Sequence, residues 1–73
     1  MKSIIVAGAG GFIGGHLVRE LIRDGNRVRA VDIKPINEWF QVFNEADNLV
    51  MDLRLKENCD KAVMGCDEVY DRK

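Results

Sequence analysis

Between Ile4 and Val18 the chain reads IIVAGAGGFIGGHLV, which sets five of its seven glycines between two apolar runs. The two runs have different periods. Ser3 to Ala7, SIIVA, is continuous and rich in β-branched residues, the pattern of a strand buried on both faces of a parallel sheet. Beyond the glycines, Ile13, Leu17, Val18, Leu21 and Ile22 recur at helical spacing, and Arg19, Glu20, Arg23 and Asp24 fall on the opposite face. The backbone therefore passes from strand to helix through a tight turn that carries almost no side chains.

The rest of the chain repeats this alternation. Gly25 stops the first helix, and RVRAVDI, Arg27 to Ile33, reads as a second strand with Asp32 at its end. After Pro35, Ile36, Trp39, Phe40 and Phe43 stand at i, i+3, i+4 and i+7, which predicts a short amphipathic helix. NLVMD, Asn48 to Asp52, reads as a third strand. Leu55, Cys59, Ala62 and Val63 line one face of a helix ended by Gly65, and DEVY, Asp67 to Tyr70, begins a fourth strand. The order β-α-β-α-β-α-β implies a parallel sheet with right-handed crossovers. With no repeat, linker or low-complexity segment, residues 1–73 read as a single domain.

Composition narrows the setting. The chain is 47% hydrophobic and 32% charged with a net charge of −1, a soluble balance that favours neither nucleic acid nor an anionic membrane. Cys59 and Cys66, seven apart with a single histidine in the chain, do not form a metal-ligand pattern and read as reduced thiols of a cytoplasmic protein. Lys2 and the apolar run after it mimic a leader peptide. The run is glycine-rich, continues into a charged helical pattern and is too short to span a bilayer.

The glycines fail two phosphate-binding templates and fit a third. Gly10 and Gly15 have the GxxxxG spacing of a P-loop, but His16 and Leu17 replace its Lys and Ser/Thr. GxGxxG from Gly8 would need glycine where Ile13 stands. GxxGxxG fits through Gly8, Gly11 and Gly14. One glycine makes the turn, one lets a pyrophosphate approach the backbone, and one lets the helix pack on the strand. The free N–H groups of the first helical turn, including those of Phe12 and Ile13, then face the anion with the helix dipole behind them. Asp32 lies 18 residues past Gly14. It is expected at an adenosine ribose, where a carboxylate accepts from both hydroxyls and repels a 2′-phosphate, and Ile33 beside it is counted among the cofactor-binding residues. That favours NAD over NADP. Lys34 argues the other way, since a lysine there could pair with that phosphate.

GAGGFIGGHL resembles the glycine signature of the extended short-chain dehydrogenase/reductase superfamily, the NAD-dependent epimerase/dehydratase group, in which Ser commonly stands where Gly15 is. The resemblance implies a half-Rossmann fold, α/β, with a four-stranded parallel sheet of order 3-2-1-4 and flanking helices. MDLR, Met51 to Arg54, resembles the Asp-Leu after that group's third strand, which implies that Asp52 bonds the adenine amino group and that the Leu53 backbone meets the ring. Asp52 is also placed to cap the following helix. DLRLKENCDKAVMGCDEVY is most similar to GDP-mannose 3,5-epimerases. The group's catalytic Tyr-x-x-x-Lys, however, has no match: Tyr70 is the one tyrosine, and Lys73 stands one position short.

The expected function is therefore binding of the ADP portion of NAD, or of a related adenine nucleotide, by a truncated module without catalysis of its own. One alternative is part of an NAD-dependent sugar-nucleotide epimerase/dehydratase completed by another chain. The other is a structural module that has lost its ligand. A fourth strand with an unpaired outer edge also predicts a homodimer.

Overall fold

The central strand of the sheet is β1 (Ser3–Ala7), and it pairs in parallel on both sides. β2 (Arg27–Asp32) lies along one side, with Ser3–Ala7 in register with Arg27–Val31. β4 (Glu68–Asp71) lies along the other, with Ile4–Ala7 in register with Glu68–Asp71. β3 (Asp47–Val50) flanks β2 and completes the order β3-β2-β1-β4. This is a computed structural model, and it describes residues 2–71. The expected order 3-2-1-4 is the observed one.

Side chains alternate across a strand, so β1 feeds two cores. On one face Ile4 and Val6 join Val28 and Ala30 of β2 beneath Val18 and Leu21 of α1 (Phe12–Arg23), with Trp39 and Ala46 closing the layer. On the other face Ile5 and Val31 meet Ala62 of α2 (Lys56–Val63), bordered by Leu49, Met51, Leu53, Val63 and Cys66. The helix between β1 and β2 thus covers one face, and the helix between β3 and β4 covers the other. This double burial is why SIIVA carries no polar alternation.

Gly25, at φ +88°, ends α1. Its N–H donates to the Ile22 carbonyl and that of Asn26 to the Leu21 carbonyl, which satisfies carbonyls the helix leaves open. Gly65, at φ +78°, follows α2, and there the Cys66 N–H donates to the Val63 carbonyl.

The helix expected over Ile36–Phe43 does not form. Only Ile36–Glu38 makes a single 3₁₀ turn, and Trp39 is already extended at φ −72° and ψ 140°. Tertiary contacts outweigh the helical spacing. The Trp39 indole is drawn into the α1-face core and is 7% exposed, and the Phe40 N–H donates to the Gly10 carbonyl at 2.9 Å instead of continuing a helix. Ile36 and Phe40 stay exposed. An eight-residue helix is marginal by itself, so the competing contacts decide. Strand ends also shift: β2 stops at Asp32, β3 covers Asp47–Val50, and β4 begins at Glu68.

Candidate nucleotide site at the carboxyl ends of the strands

β1 ends at Ala7, and Gly8 reverses the chain at φ +79°, a left-handed conformation that disfavours any side chain. The N–H groups of Gly8 and Ala9 both donate to the Val31 carbonyl, at 2.9 and 3.0 Å, which ties the turn to the end of β2. Gly14 is pressed on this turn: a Cβ there would lie 2.1 Å from the Gly8 carbonyl oxygen. Gly11 is different, because its Cβ would meet only that oxygen, at an ordinary 3.5 Å. The space above Gly11 is open.

α1 begins at Phe12, with Gly11 as its N-cap, no side-chain cap and no acid in the first turn. The first intrahelical bond from this end runs from the Gly15 N–H to the Gly11 carbonyl, 2.9 Å. The Phe12, Ile13 and Gly14 N–H groups precede it. They are donors without an intrahelical acceptor, at the positive end of a 12-residue helix.

Asp32, 9% exposed at the end of β2, is held by two backbone N–H groups. Its Oδ2 accepts from Gly10 at 2.9 Å and its Oδ1 from Lys34 at 3.0 Å. An ionised carboxylate has about four acceptor sites, so two remain for a ligand. Lys34 thus meets Asp32 through its backbone.

Asp52 follows β3. Its Oδ1 accepts from the Arg54 N–H at 3.0 Å and from Arg54 Nε at 2.9 Å, and its Oδ2 accepts from Arg54 Nη2 at 2.8 Å. This paired guanidinium holds the carboxyl down at about 2. The expected capping role is not observed. Leu55 occupies the N-cap of α2, with no side-chain cap, because the Asp52 carboxylate folds onto Arg54 two residues on. Asp52 supports the helix start through its carbonyl instead, which accepts from the Leu55 N–H at 3.3 Å and from Asn58 Nδ2 at 3.1 Å.

A cavity of about 630 Å³ opens at the carboxyl ends of the strands on the α2 face. Gly8, Asp32, Ile33, Asp52, Leu53 and Arg54 line it together with the apolar Ile5, Val63 and Val69. The structure therefore brings five expected site residues, Gly8, Asp32, Ile33, Asp52 and Leu53, to one cavity. Gly11, Phe12, Ile13, Gly14 and Lys34 do not line it; the first four follow Gly8 through the turn into the start of α1. Sequence reasoning missed Arg54, which stands two residues past Asp52, the spacing of a side chain that can bond back. It also missed Cys59 on the cavity wall, and Gly10, whose signal was that it fell outside the triplet. Among the described residues no three of His, Cys, Asp and Glu gather in a metal-holding cluster, and no helix is long and apolar enough to cross a membrane.

Comparison with known proteins extends this geometry. The GDP-mannose 3,5-epimerase of Arabidopsis thaliana is 41% identical over 68 residues, and GDP-mannose 3,5-epimerase 1 of Oryza sativa subsp. japonica is 36% identical over 67. Each match takes in 92% of this chain, and the chain spans 18% of the length of either relative. A short-chain dehydrogenase/reductase superfamily protein from Agrobacterium tumefaciens, solved with bound NAD, superposes with a TM-score of 0.78 at 25% identity, over 97% of this chain and 20% of that one. MoeE5, solved with UDP-glucose and NAD, superposes at 0.73 with 32% identity, over 96% of this chain and 21% of its own. The resemblance carried by GAGGFIGGHL and MDLR is thus shared across strands, turn and helices. The profile of the 3-beta hydroxysteroid dehydrogenase/isomerase family matches residues 5–71, so the chain belongs to the 3-beta hydroxysteroid dehydrogenase/isomerase family.

Proposed function

We propose that this chain binds NAD through its adenosine diphosphate half. One observation carries the reading: Gly8 of the glycine turn, the held carboxylate of Asp32, and Asp52 with Leu53 line one cavity at the carboxyl ends of β1, β2 and β3, and the open Gly11 follows in the same turn. Ligands of open α/β sheets bind at such strand ends. Gly11 leaves room for the pyrophosphate, and the N–H groups of Phe12, Ile13 and Gly14 donate to it. The two unused acceptor sites of Asp32 take the ribose hydroxyls, and its charge, fixed by two N–H groups, repels a 2′-phosphate, so NAD is favoured over NADP. Ile33 and Leu53 border the adenine, with the Asp52 carboxylate at its amino group.

When bound, NAD supplies a hydride acceptor. The chain's own residues bind and orient the adenosine end, and they leave the chemistry to groups beyond these elements. Tyr70, the one tyrosine, is not on the cavity wall. A second reading, part of an NAD-dependent sugar-nucleotide epimerase/dehydratase, is supported by the epimerase relatives and by the sugar nucleotide bound to MoeE5. Self-association of two copies through β4 belongs to the same proposal.

Calorimetry tests the first reading. ADP is expected to bind within about tenfold of NAD. NAD tighter by a hundredfold would put about 2.8 kcal/mol into contacts that the cavity does not offer, and would overturn the reading. Gly11→Val is expected to abolish binding in a folded protein, because the new side chain fills the open space above the turn.

A further inference from the structure

Two of the five glycines in the turn region, Gly10 and Gly15, are not used by the triplet that faces the phosphate, yet both are crowded. A Cβ on Gly10 would lie 2.8 Å from Trp39 Cδ1, 2.9 Å from Trp39 Cγ and 2.9 Å from Asp32 Oδ2. A Cβ on Gly15 would lie 3.0 Å from Gln41 Cγ. The segment Trp39–Gln41 passes over the turn and the first turn of α1, with the Phe40 ring edge-on to Phe12 at 4.7 Å. Resting on the nucleotide-binding reading, we infer that Trp39–Gln41 is a strap that positions the phosphate turn and the ribose carboxylate, and that Gly10 is glycine to seat it.

The strap closes a ring of four hydrogen bonds. The Gly10 N–H donates to Asp32 Oδ2 at 2.9 Å, and the Gly10 carbonyl accepts from the Phe40 N–H at 2.9 Å. Trp39 Nε1–H donates to the Lys34 carbonyl at 2.9 Å, and the Lys34 N–H returns to Asp32 Oδ1 at 3.0 Å. Both polar groups of the Gly10 backbone are therefore committed, next to the open Gly11. Both oxygens of Asp32 are fixed before any ligand arrives. Groups held in this way need little further ordering on binding, and that lowers the entropic cost of capture. Trp39 acts through Gly10 and Lys34 rather than on the ligand, so it is a positioning residue.

The test uses the full chain and ADP as the probe. Gly10→Ala places a methyl where the indole lies. Trp39→Phe keeps an aromatic ring in the core while it removes the bond to Lys34 and part of the indole's volume, so it is the variant chosen to hold the fold. In both, ADP affinity is expected to fall about tenfold with the circular dichroism of a folded protein. Amide exchange supplies a readout that general loss of packing does not move: protection at Gly10 falls about tenfold while Ile5 and Val6 in β1 keep theirs. In Gly10→Ala, emission from Trp39, the one tryptophan, shifts to the red as the strap lifts. Folded variants that bind ADP within twofold of the wild type, or Trp39→Phe with Gly10 still fully protected, would overturn the strap alone. A wild-type chain that takes up no ADP would overturn the nucleotide reading and the strap's role with it.

Discussion

The two site carboxylates are held by different partners, and they answer to different perturbations. Asp32 is nearly buried and held by two backbone N–H groups, so its position is a property of the turn. Asp32→Ala is expected to reduce ADP affinity by about 1.5–3 kcal/mol, the scale of hydrogen bonds to a charged group, as read by calorimetry. Wild-type affinity in that variant would remove Asp32 from the site. Asp52 is held from the outside by a solvent-exposed arginine. Its carboxyl titrates at about 2 against an ordinary 3.8, because the Arg54 guanidinium and N–H stabilise the charged form. A lowered native pKa means that the pair's contribution is whole above 3.8 and is lost as pH falls through about 2. A carboxyl-detected NMR titration should place the Asp52 midpoint near 2, and Arg54→Ala should raise it part of the way back, because the residue 54 N–H still donates to Asp52 Oδ1.

At the scale of elements, α1 and the turn before it make a single fitted joint. Gly14→Ala would set a methyl 2.1 Å from the Gly8 carbonyl, so helix and turn must part. The expected cost is about 1–3 kcal/mol in urea unfolding, the range for forced overpacking, with ADP binding reduced as well. The β-α-β units around this joint were legible because their signals are local: SIIVA, the helical spacing from Ile13 to Ile22, and glycines at helix ends all act within a few residues. The strap was not legible. Ile36, Trp39, Phe40 and Phe43 match a helical face, but what decides their conformation is the Gly10 carbonyl and the core beneath Trp39, supplied by residues far back in the chain. The Asp52–Arg54 pair was missed for a nearer reason. A helix start three residues on offered the same carboxylate a plausible partner, and sequence alone did not rank the two. The position of Asp32 at the end of β2 was legible from spacing, whereas the backbone groups that fix it were not.

For the whole molecule, β4 is paired on one side only among the described residues, and Val69 is 58% exposed with Tyr70 beside it. A small parallel sheet gains by covering such a strand, and a second copy can do so around a two-fold axis. Sedimentation velocity at micromolar concentration is expected to show a dimer, and Val69→Lys a folded monomer. A wild-type chain that sediments as a monomer at those concentrations would end the self-association proposal.

The seam between β1 and β4 also sets an order of events as the chain folds. The Ser3 N–H donates to Asp67 Oδ2 across 64 positions, and the Asp67 N–H returns to the Ser3 carbonyl. β1 and β2, by contrast, are joined through one helix, with Ser3 in register with Arg27. Closing the longer loop costs more chain entropy for a seam that one face leaves thinly covered. The β1-α1-β2 unit can therefore assemble while β4 is still unmade, and in a chain growing from its amino end it has that time. Until the seam closes, the backbone of β1 presents a full row of unsatisfied donors and acceptors to any other extended segment. The polar side chains of Lys2 and Glu68, which pair across this seam, bias that open edge toward its own late partner.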